Sequence, residues 1–265
     1  MVVKNKFLVL HGWGANIESV MPIINSIPPS YTVYAYDGPG FGDSENPDYV
    51  YGTYDYYEFL KEFCRQFDIK KASFIGHSFG GKTLTILGSR DKDLVEKLIL
   101  IDASGIIPKR KLSYYVKVYT FKTLKKLYLL THKNDKNALE KFYKNHGSDD
   151  YQNSQGIMRK VFVKVVNEST LKELSAIKAQ TLLLWGDKDD ATPLYMGKIF
   201  EKEIENSGLV VLNGGHFSYI DKDKEARNYL IENGGKKQVP CLFIGEEALY
   251  ESLDIISYLK DKFNK

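Results

Sequence analysis

One serine lies between two glycines where the sequence changes character. Ser78 has Gly76 and Gly80 two residues away on either side, and the segment follows the apolar run 72–75. A serine on a sharp turn from a strand into a helix exposes its hydroxyl for nucleophilic attack, and side chains at the flanking positions would collide with that turn. A glycine-rich turn with an incidental serine is the alternative on this motif alone. The residue types and spacing favour a nucleophile at Ser78.

A nucleophilic serine needs two partners elsewhere in the chain. A histidine must act as general base, and a carboxylate must fix the tautomer of that histidine. Of the five histidines, only His216 follows the last predicted strand through a glycine-containing loop. The acid is expected just after the strand that ends at Trp185, among Asp187, Asp189 and Asp190. Asp102, at the end of the preceding strand, is a second possible position for the acid.

Strand-like and helix-like segments alternate through the first hundred residues and again near residue 180. Short apolar runs predict strands at 7–10, 31–36, 72–75, 95–101, 181–185 and 209–212. Helical spacing or position predicts helices at 18–25, 54–67 and 82–87. Such alternation is typical of an α/β protein in which helices cover both faces of a doubly wound, mostly parallel sheet.

The alternation stops between the strands predicted at 95–101 and 181–185. Residues 105–178 are helix-like and predict a helical lid inserted between two halves of the sheet. The insert begins with apolar residues at helical spacing among many lysines: Leu112, Tyr115, Val116 and Tyr119. This pattern favours an amphipathic lid helix packed over the active site, with a basic surface for anionic substrates or membrane headgroups as the alternative. Thr170 and Glu173 predict a capping box at the start of a returning helix.

Composition limits the partners that the chain could have. The 265 residues include 37 Lys and Arg against 34 Asp and Glu, a formal charge of +3 that is too small to suggest nucleic-acid binding. The apolar run 7–10 is too short for a signal peptide, and no apolar stretch reaches the length of a membrane span. We expect a cytoplasmic protein without membrane contact, metal or organic cofactor. Its oligomeric state is left open.

Four motifs, in order along the chain and in addition to the serine turn at 76–80, give a resemblance to a known family. The segments 11–14 (HGWG), 37–44 (DGPGFGDS) and 76–80 (GHSFG) precede an acid turn at 186–193 and the histidine loop at 215–216. On these motifs, residues from about 4 to 220 are identified as a member of the α/β-hydrolase superfamily. The acid turn matches G-x-x-D-x-x-x-P, which selects Asp189 over its neighbours. The resemblance also implies an oxyanion hole made by the backbone N–H groups of Trp13 and Phe79.

The resemblance implies a serine hydrolase that cleaves a small carboxylic ester or lactone through an acyl-enzyme. Ser78 would be the nucleophile, His216 the base and then the acid, and Asp189 the orienting carboxylate. The same triad also serves carbon–carbon bond hydrolases and perhydrolases of this fold. A slow-turnover ligand receptor of the same fold is a further alternative, because fold does not determine function.

The C-terminal segment resembles a different family. Residues 233–265, with Val239-Pro240 and Glu251-Ser252, look like the second half of a glutaredoxin or glutathione-transferase N-terminal domain. A strand at 239–244, a turn at 245–248 and a helix at 252–263 are expected, as a short β-β-α extension. The half that would carry the active cysteine is missing, so we expect no redox role. The hydrolase core would then comprise 1–104 and 179–232.

Overall fold

The computed structural model describes residues 5–110, 112–132, 138–144 and 149–220, together with the backbone of 242–244 and 247–249. The strands are β1 Lys6–Leu10, β2 Thr32–Ala35, β3 Ala72–His77, β4 Val95–Ile101, β5 Gln180–Gly186, β6 Ser207–Leu212, β7 Leu242–Ile244 and β8 Glu247–Leu249. The helices are α1 Ile17–Ser26, α2 Thr53–Gln66, α3 Phe79–Arg90, α4 Leu112–Thr131, α5 Ala138–Lys144, α6 Asp149–Asn153, α7 Gly156–Asn167, α8 Leu171–Leu174 and α9 Leu194–Glu203.

Six strands form one parallel sheet in the order β2-β1-β3-β4-β5-β6. The predicted α/β class is therefore confirmed, and the described sheet is entirely rather than mostly parallel. All six strands end at the same edge, so the loops that follow β1, β3, β4, β5 and β6 meet there. Ligand sites in open parallel sheets lie at this edge. The order of the strands places the predicted nucleophile, acid and histidine on neighbouring connections.

Successive residues of each central strand enter two different apolar cores. Leu8 and Phe74 belong to the larger core, which α2, α3 and α9 cover, whereas Val9 and Ile75 pack with Val20 of α1 on the other face. Adjacent side chains of a strand point to opposite faces, so both faces of the sheet are covered. Burial on both faces explains why these strands are continuous apolar runs in the sequence rather than alternating ones.

Helices α4 to α8 all lie between β4 and β5, where the insert was predicted. The prediction that the first of them packs its periodic apolar residues over the active site is wrong. Leu112 and Tyr119 are exposed, and the opposite face of α4 makes the packing contacts instead. On that face the ring of Phe121 lies 5.4 Å from the ring of Phe142 and 5.8 Å from that of Tyr151. Helix α4 is therefore apolar on two faces. Helices α5 and α6 cover the face that carries Phe121, and the face with Leu112 and Tyr119 is exposed.

The predicted capping box at the start of α8 does not form. Thr170 is the N-cap residue, but its side chain makes no capping bond and instead lies 2.8 Å from the hydroxyl oxygen of Thr85. The Glu173 carboxylate accepts hydrogen bonds from the hydroxyls of Tyr54 and Ser89. Contacts between distant segments have replaced the local pattern, because both side chains are buried where α8 meets α3.

The described part of the C-terminal segment is one antiparallel hairpin. Leu242 pairs with Leu249 and Ile244 pairs with Glu247, which leaves a two-residue connection. The strand predicted at 239–244 agrees with β7 over its described residues, but β8 begins inside the predicted turn 245–248. The helix expected at 252–263 lies outside the described residues.

The length and the apolar character of a helix decide whether it can cross a membrane. Among the helices that the structure describes, none combines the length and the apolar character needed to cross a bilayer.

Candidate active site

Ser78 occupies a strained turn between β3 and α3. Its backbone has φ 50° and ψ −111°, outside the regions that L-residues ordinarily adopt. The turn is held by its own backbone, because the Ser78 N–H donates to the carbonyl of Ile101 and the Ser78 carbonyl accepts from Lys82 and Ser104. Strain of this kind persists only where the surroundings fix it, and it is concentrated at functional sites.

The two glycines that flank Ser78 are needed for close packing. A Cβ atom on Gly76 would lie 2.6 Å from the amide nitrogen of Gly81, and one on Gly80 would lie 2.7 Å from the carbonyl oxygen of His11. Both neighbours are backbone atoms, which cannot move aside as a flexible side chain could. The collision expected from the sequence is therefore present at both positions, and it explains why glycine stands there.

Three predicted residues form one line of hydrogen bonds. The Ser78 hydroxyl lies 2.9 Å from Nε2 of His216, and Nδ1 of His216 lies 2.8 Å from Oδ2 of Asp189. A carboxylate only accepts, so Nδ1 carries the proton and Nε2 is left to accept the hydrogen of the serine. Burial lowers the pKa of His216, but the hydrogen bond and charge of Asp189 outweigh it and the net pKa lies above the usual value.

Asp189 is fixed by several donors besides His216. Its Oδ1 accepts from the backbone N–H groups of Ala191 and Thr192 at 2.8 and 2.9 Å, and its Oδ2 accepts from the Thr192 hydroxyl at 2.6 Å. Burial raises the pKa of Asp189, yet these donors and His216 together hold it below its ordinary value. Asp187 and Asp190 are exposed and do not contact the imidazole among the described residues. The acid turn thus brings one of its three carboxylates to His216.

Asp102, the second possible acid, lies beside the triad without touching the imidazole. Its Oδ1 accepts from the Gly186 N–H at 2.8 Å, and its Oδ2 accepts from the Ser218 hydroxyl at 2.7 Å. Asp102 is fully buried, and burial raises its pKa to about 6. It connects the end of β4 to the end of β5 and to the loop that carries His216. The sequence does not predict this role, because the position of an aspartate after a strand does not indicate which loop its side chain contacts.

His77, next to the nucleophile, holds the same loop from the other side. Its Nε2–H donates to the carbonyl oxygen of His216 at 2.7 Å, while its buried Nδ1 has no partner among the described residues. Burial lowers the pKa of His77 to about 4, so the ring is neutral at neutral pH. The sequence motif includes this histidine, but nothing in the spacing indicated that it positions His216.

The two glycine-rich loops before β3 have structural roles. His11 donates from Nδ1 to the Gly12 carbonyl at 2.7 Å and accepts the Gly38 N–H on Nε2 at 3.0 Å, which ties the loops together. Asp37 accepts the backbone N–H groups of Ile17 and Asp43 on its two carboxylate oxygens. Gly40 and Gly42 have φ values of 85° and 52°, which glycine adopts without strain in this tight turn.

A cavity of about 320 Å³ opens at Ser78 and His216. Trp13 and Phe79 also line it, and their backbone N–H groups have no acceptor among the described residues. At Phe79 this follows from its place in the first turn of α3, where N–H groups lack helical partners. The indole of Trp13 packs edge-on against Phe79, with ring centroids 5.5 Å apart. The two residues with these unused donors thus line the cavity that contains the serine hydroxyl.

The helical insert supplies one wall of this cavity. Pro108, Phe162, Val165 and Val166 line it opposite the sheet edge. Lys82, four residues after the nucleophile, joins the two walls, because its ammonium donates to the carbonyl oxygens of Val165 and Glu168 at the end of α7. Burial lowers the pKa of Lys82 to about 8. The wall from the insert is therefore bonded directly to the helix that follows Ser78.

Two family profiles match the chain. The family described as alpha/beta hydrolase fold matches residues 5–223, and the glutathione S-transferase N-terminal domain family matches residues 215–265. The two matches overlap at 215–223, and His216 lies in the overlap. The second match covers the segment whose resemblance to such a domain the sequence indicated.

Several known proteins similar to this chain are named as hydrolases. The chain is 22% identical over 227 residues to an uncharacterized hydrolase, YugF, of Bacillus subtilis, covering 79% of this chain and 82% of that one. An enol-lactonase from Burkholderia xenovorans superimposes with a TM-score of 0.65 at 18% identity, covering 88% and 92%. A meta-cleavage product hydrolase from Pseudomonas fluorescens superimposes with a TM-score of 0.61 at 20% identity, also covering 88% and 92%. At these identities the two structures establish the fold alone.

Proposed function

The chain belongs to the α/β hydrolase family, and we propose that it is a serine hydrolase that cleaves a small carboxylic ester or lactone. One observation carries the proposal: the Ser78 hydroxyl, at the mouth of a cavity, lies 2.9 Å from a histidine nitrogen whose partner nitrogen meets a buried carboxylate. This is the arrangement that converts a weak hydroxyl into a nucleophile.

The reaction begins when His216 Nε2 takes the proton of Ser78 and the serine oxygen attacks the carbonyl carbon of the substrate. Negative charge develops on the carbonyl oxygen, and the N–H groups of Trp13 and Phe79 stabilise it; losing one such donor costs about 3 to 4 kcal/mol of barrier. Collapse of the tetrahedral intermediate releases the alcohol, which receives its proton from His216. Water then attacks the acyl-enzyme with His216 again as base, and Asp189 stabilises the imidazolium in both halves.

The cavity restricts the size and polarity of the proposed substrate. Its volume of about 320 Å³ is near the lower end of small-molecule sites, and its walls are mainly apolar. We assign residues 105–178 as a lid, since Phe162, Val165 and Val166 cover the cavity from that side. A short apolar acyl group fits such a site better than a charged one. Substitution of Phe162 by Ala should therefore shift the preference towards longer acyl chains.

We assign the hydrolase core to 1–104 and 179–232 and treat 233–265 as an extension without a part in hydrolysis. The α/β hydrolase match extends to residue 223 and includes His216, which supports a boundary after the histidine loop. A chain that ends at Gly234 should retain esterase activity, and loss of that activity would contradict the assignment.

We further propose a cytoplasmic location, which fractionation of cells that express the protein would test.

Turnover of p-nitrophenyl esters of increasing acyl length, with and without Ser78→Ala, tests the proposed activity. We expect Ser78→Ala to lower kcat/KM by a factor of at least about 10³. Ser104→Ala is the matched control, because Ser104 also lines the cavity but contacts the Ser78 carbonyl only through its backbone. It should retain most of the activity. Tight binding of esters without turnover would favour a receptor and contradict the proposal.

A further inference from the structure

Helix α4 exposes a stripe of apolar residues, interrupted by Thr123, which we call the α4 outer face. Its members are Leu112, Val116, Tyr119, Leu127 and Leu130, and their exposed fractions range from 52% to 80%. At 3.6 residues per turn these five positions fall within an arc of about 80°, along a helix about 30 Å long. Monomeric proteins rarely leave a contiguous apolar surface of this kind open, so it indicates an interaction site.

The packing of α4 shows that this stripe is not the side that holds the helix in the fold. The opposite side carries Phe121 and Tyr128, whose rings both lie 5.4 Å from the ring of Phe142 in α5. Lys125 also points that way, with its ammonium 2.6 Å from the Tyr143 hydroxyl. The outer face can therefore bind another surface without any loss of the contacts that anchor α4.

The charge around the stripe is strongly positive. The 32 residues from 103 to 134 contain eight Lys or Arg and no Asp or Glu, whereas the formal charge of the whole chain is only +3. The rest of the chain thus has a formal charge of −5. Lys117 lies on one side of the outer face, and Lys122 and Lys126 lie on the other, all of them exposed. An apolar stripe with lysines on both sides is complementary to acyl chains below anionic headgroups.

We propose that the α4 outer face docks on an anionic lipid surface, with the helix parallel to that surface. Leu112, Val116 and the other apolar members would enter the boundary between headgroups and acyl chains, and the flanking lysines would meet lipid phosphates and carboxylates. A second copy of the chain is a poorer occupant, because two faces of the same strong positive charge would repel each other. The inference does not depend on the proposed ester hydrolysis, since the outer face contains no cavity residue.

Cosedimentation with vesicles tests this inference on the full chain. We expect binding to vesicles of phosphatidylcholine that contain phosphatidylserine, and much weaker binding to phosphatidylcholine alone. Replacing Lys117, Lys122 and Lys126 by Gln should weaken binding by about fivefold for each lysine. Replacing Lys92, Lys198 and Lys202, three exposed lysines outside the insert, removes the same charge and should leave binding within about twofold.

A second variant separates the apolar contribution from the charge. Val116→Gln with Leu127→Gln keeps every lysine and removes two apolar members of the outer face, and it should weaken binding at least tenfold. Thermal unfolding of each variant verifies that the fold persists. Equal binding of the wild type to both vesicle types would overturn the proposal. Dimer formation through this face would also overturn it. Light scattering would then show a dimer for the wild type and a monomer for Val116→Gln with Leu127→Gln.

Discussion

The turns after β4 and β5 each bury an aspartate beside the loop that carries His216, but the two carboxylates differ in their electrostatics. Asp102 accepts the backbone N–H groups of Gly186 at 2.8 Å and Ser218 at 3.3 Å and the Ser218 hydroxyl at 2.7 Å, and burial raises its pKa to about 6. Asp189 is also buried, yet two backbone N–H groups, a hydroxyl and the His216 ring lower its pKa. The contact that distinguishes them is the hydrogen bond to His216, which Asp189 makes and Asp102 does not.

This difference separates two tasks that a buried carboxylate can perform. A carboxylate with a lowered pKa stays charged and can stabilise the imidazolium that forms when His216 takes a proton. A carboxylate with a raised pKa is poorly suited to that task, but it can still hold segments together through hydrogen bonds. On this account Asp189 acts in catalysis and Asp102 is a positioning residue for the histidine loop. Substitutions in the two turns should therefore affect different properties.

The largest effect is expected from Asp189→Asn. The variant should lower kcat/KM by about 10³- to 10⁴-fold, because it removes the charge that stabilises protonated His216 and can present the wrong group to Nδ1. The pH dependence of the remaining activity should also differ from that of the wild type. The base must be neutral, so wild-type activity rises with pH through a pKa above that of ordinary histidine. Without the carboxylate, burial dominates and the acid limb should move to lower pH.

The pH profile of kcat/KM for the wild type and Asp189→Asn measures both parts of this prediction. Asp190→Asn is the control, because Asp190 is exposed in the same turn. An Asp102→Asn variant that lost more activity than Asp189→Asn would reverse the two assignments.

Asp102 should matter more for stability than for the chemical step. Asp102→Ala removes two acceptors from buried donors and places Ala at a φ of 45°, so we expect it to lose about 3 kcal/mol of unfolding free energy or more. Asp102→Asn keeps an acceptor for the Gly186 N–H, and Asn tolerates a positive φ. The unfolding free energy of Asp102→Asn should be close to that of the wild type at neutral pH. Urea unfolding of the two variants measures the difference.

The same site predicts a pH dependence whose sign can be worked out. The folded pKa of Asp102, about 6, exceeds the value of about 3.9 in an unfolded chain. Its protonated form therefore favours the folded state below about pH 4, and this contribution of about 3 kcal/mol is lost as pH rises through 6. Asp102→Asn has no carboxyl group at this position, so its stability should not show this fall as pH rises through 6. If its stability relative to wild type were the same at pH 4 and pH 7, the raised pKa would be wrong.

Much of the site could be predicted from the sequence because its motifs encode local backbone geometry. Gly76 and Gly80 are required by contacts within and next to the turn, whereas the resemblance of 186–193 to the α/β-hydrolase pattern selected Asp189 over its neighbours. Such signals are present in the sequence before the chain folds. The predicted strands were also correct in place, and burial on both faces explains the continuous apolar runs of the central strands β1 and β3.

The missed features all depend on which distant segments meet. His77 and Asp102 hold the His216 loop across more than a hundred residues of sequence. Thr170 matched a capping pattern, but its hydroxyl meets Thr85 in another helix. The apolar positions of α4 have the right spacing for burial, yet another face of that helix was the one covered. Spacing indicates that a face is apolar and does not indicate what covers it.

A smaller effect is expected from Thr192→Val, which tests the donors around Asp189. The Thr192 hydroxyl is 2.6 Å from Oδ2 of Asp189, the same oxygen that accepts from His216. Losing this donor should lower kcat/KM by about tenfold, because Asp189 would be less firmly oriented and less strongly held in its charged form. Thr192→Ser keeps the hydroxyl and should restore most of the activity. Equal losses in both variants would point to packing instead.

The smallest effect is expected from Asp187→Asn. The Asp187 carboxylate is exposed, and among the described residues its Oδ1 accepts only the Gly214 N–H, at 3.1 Å. An amide oxygen can accept the same bond, so kcat/KM and stability should change by no more than about twofold and about 0.5 kcal/mol. Steady-state kinetics on the best ester measures the first. A large loss would show that the acid turn contributes more than one carboxylate to catalysis.

The identity of the nucleophile is the central claim, and labelling with a fluorophosphonate followed by peptide mass spectrometry measures it most directly. Such reagents react with a serine only when a neighbouring base has activated its hydroxyl. We predict one modified site, Ser78, with labelling absent in Ser78→Ala, strongly slowed in His216→Ala and unchanged in Ser104→Ala. Modification at another residue, or full ester turnover by Ser78→Ala, would contradict the account.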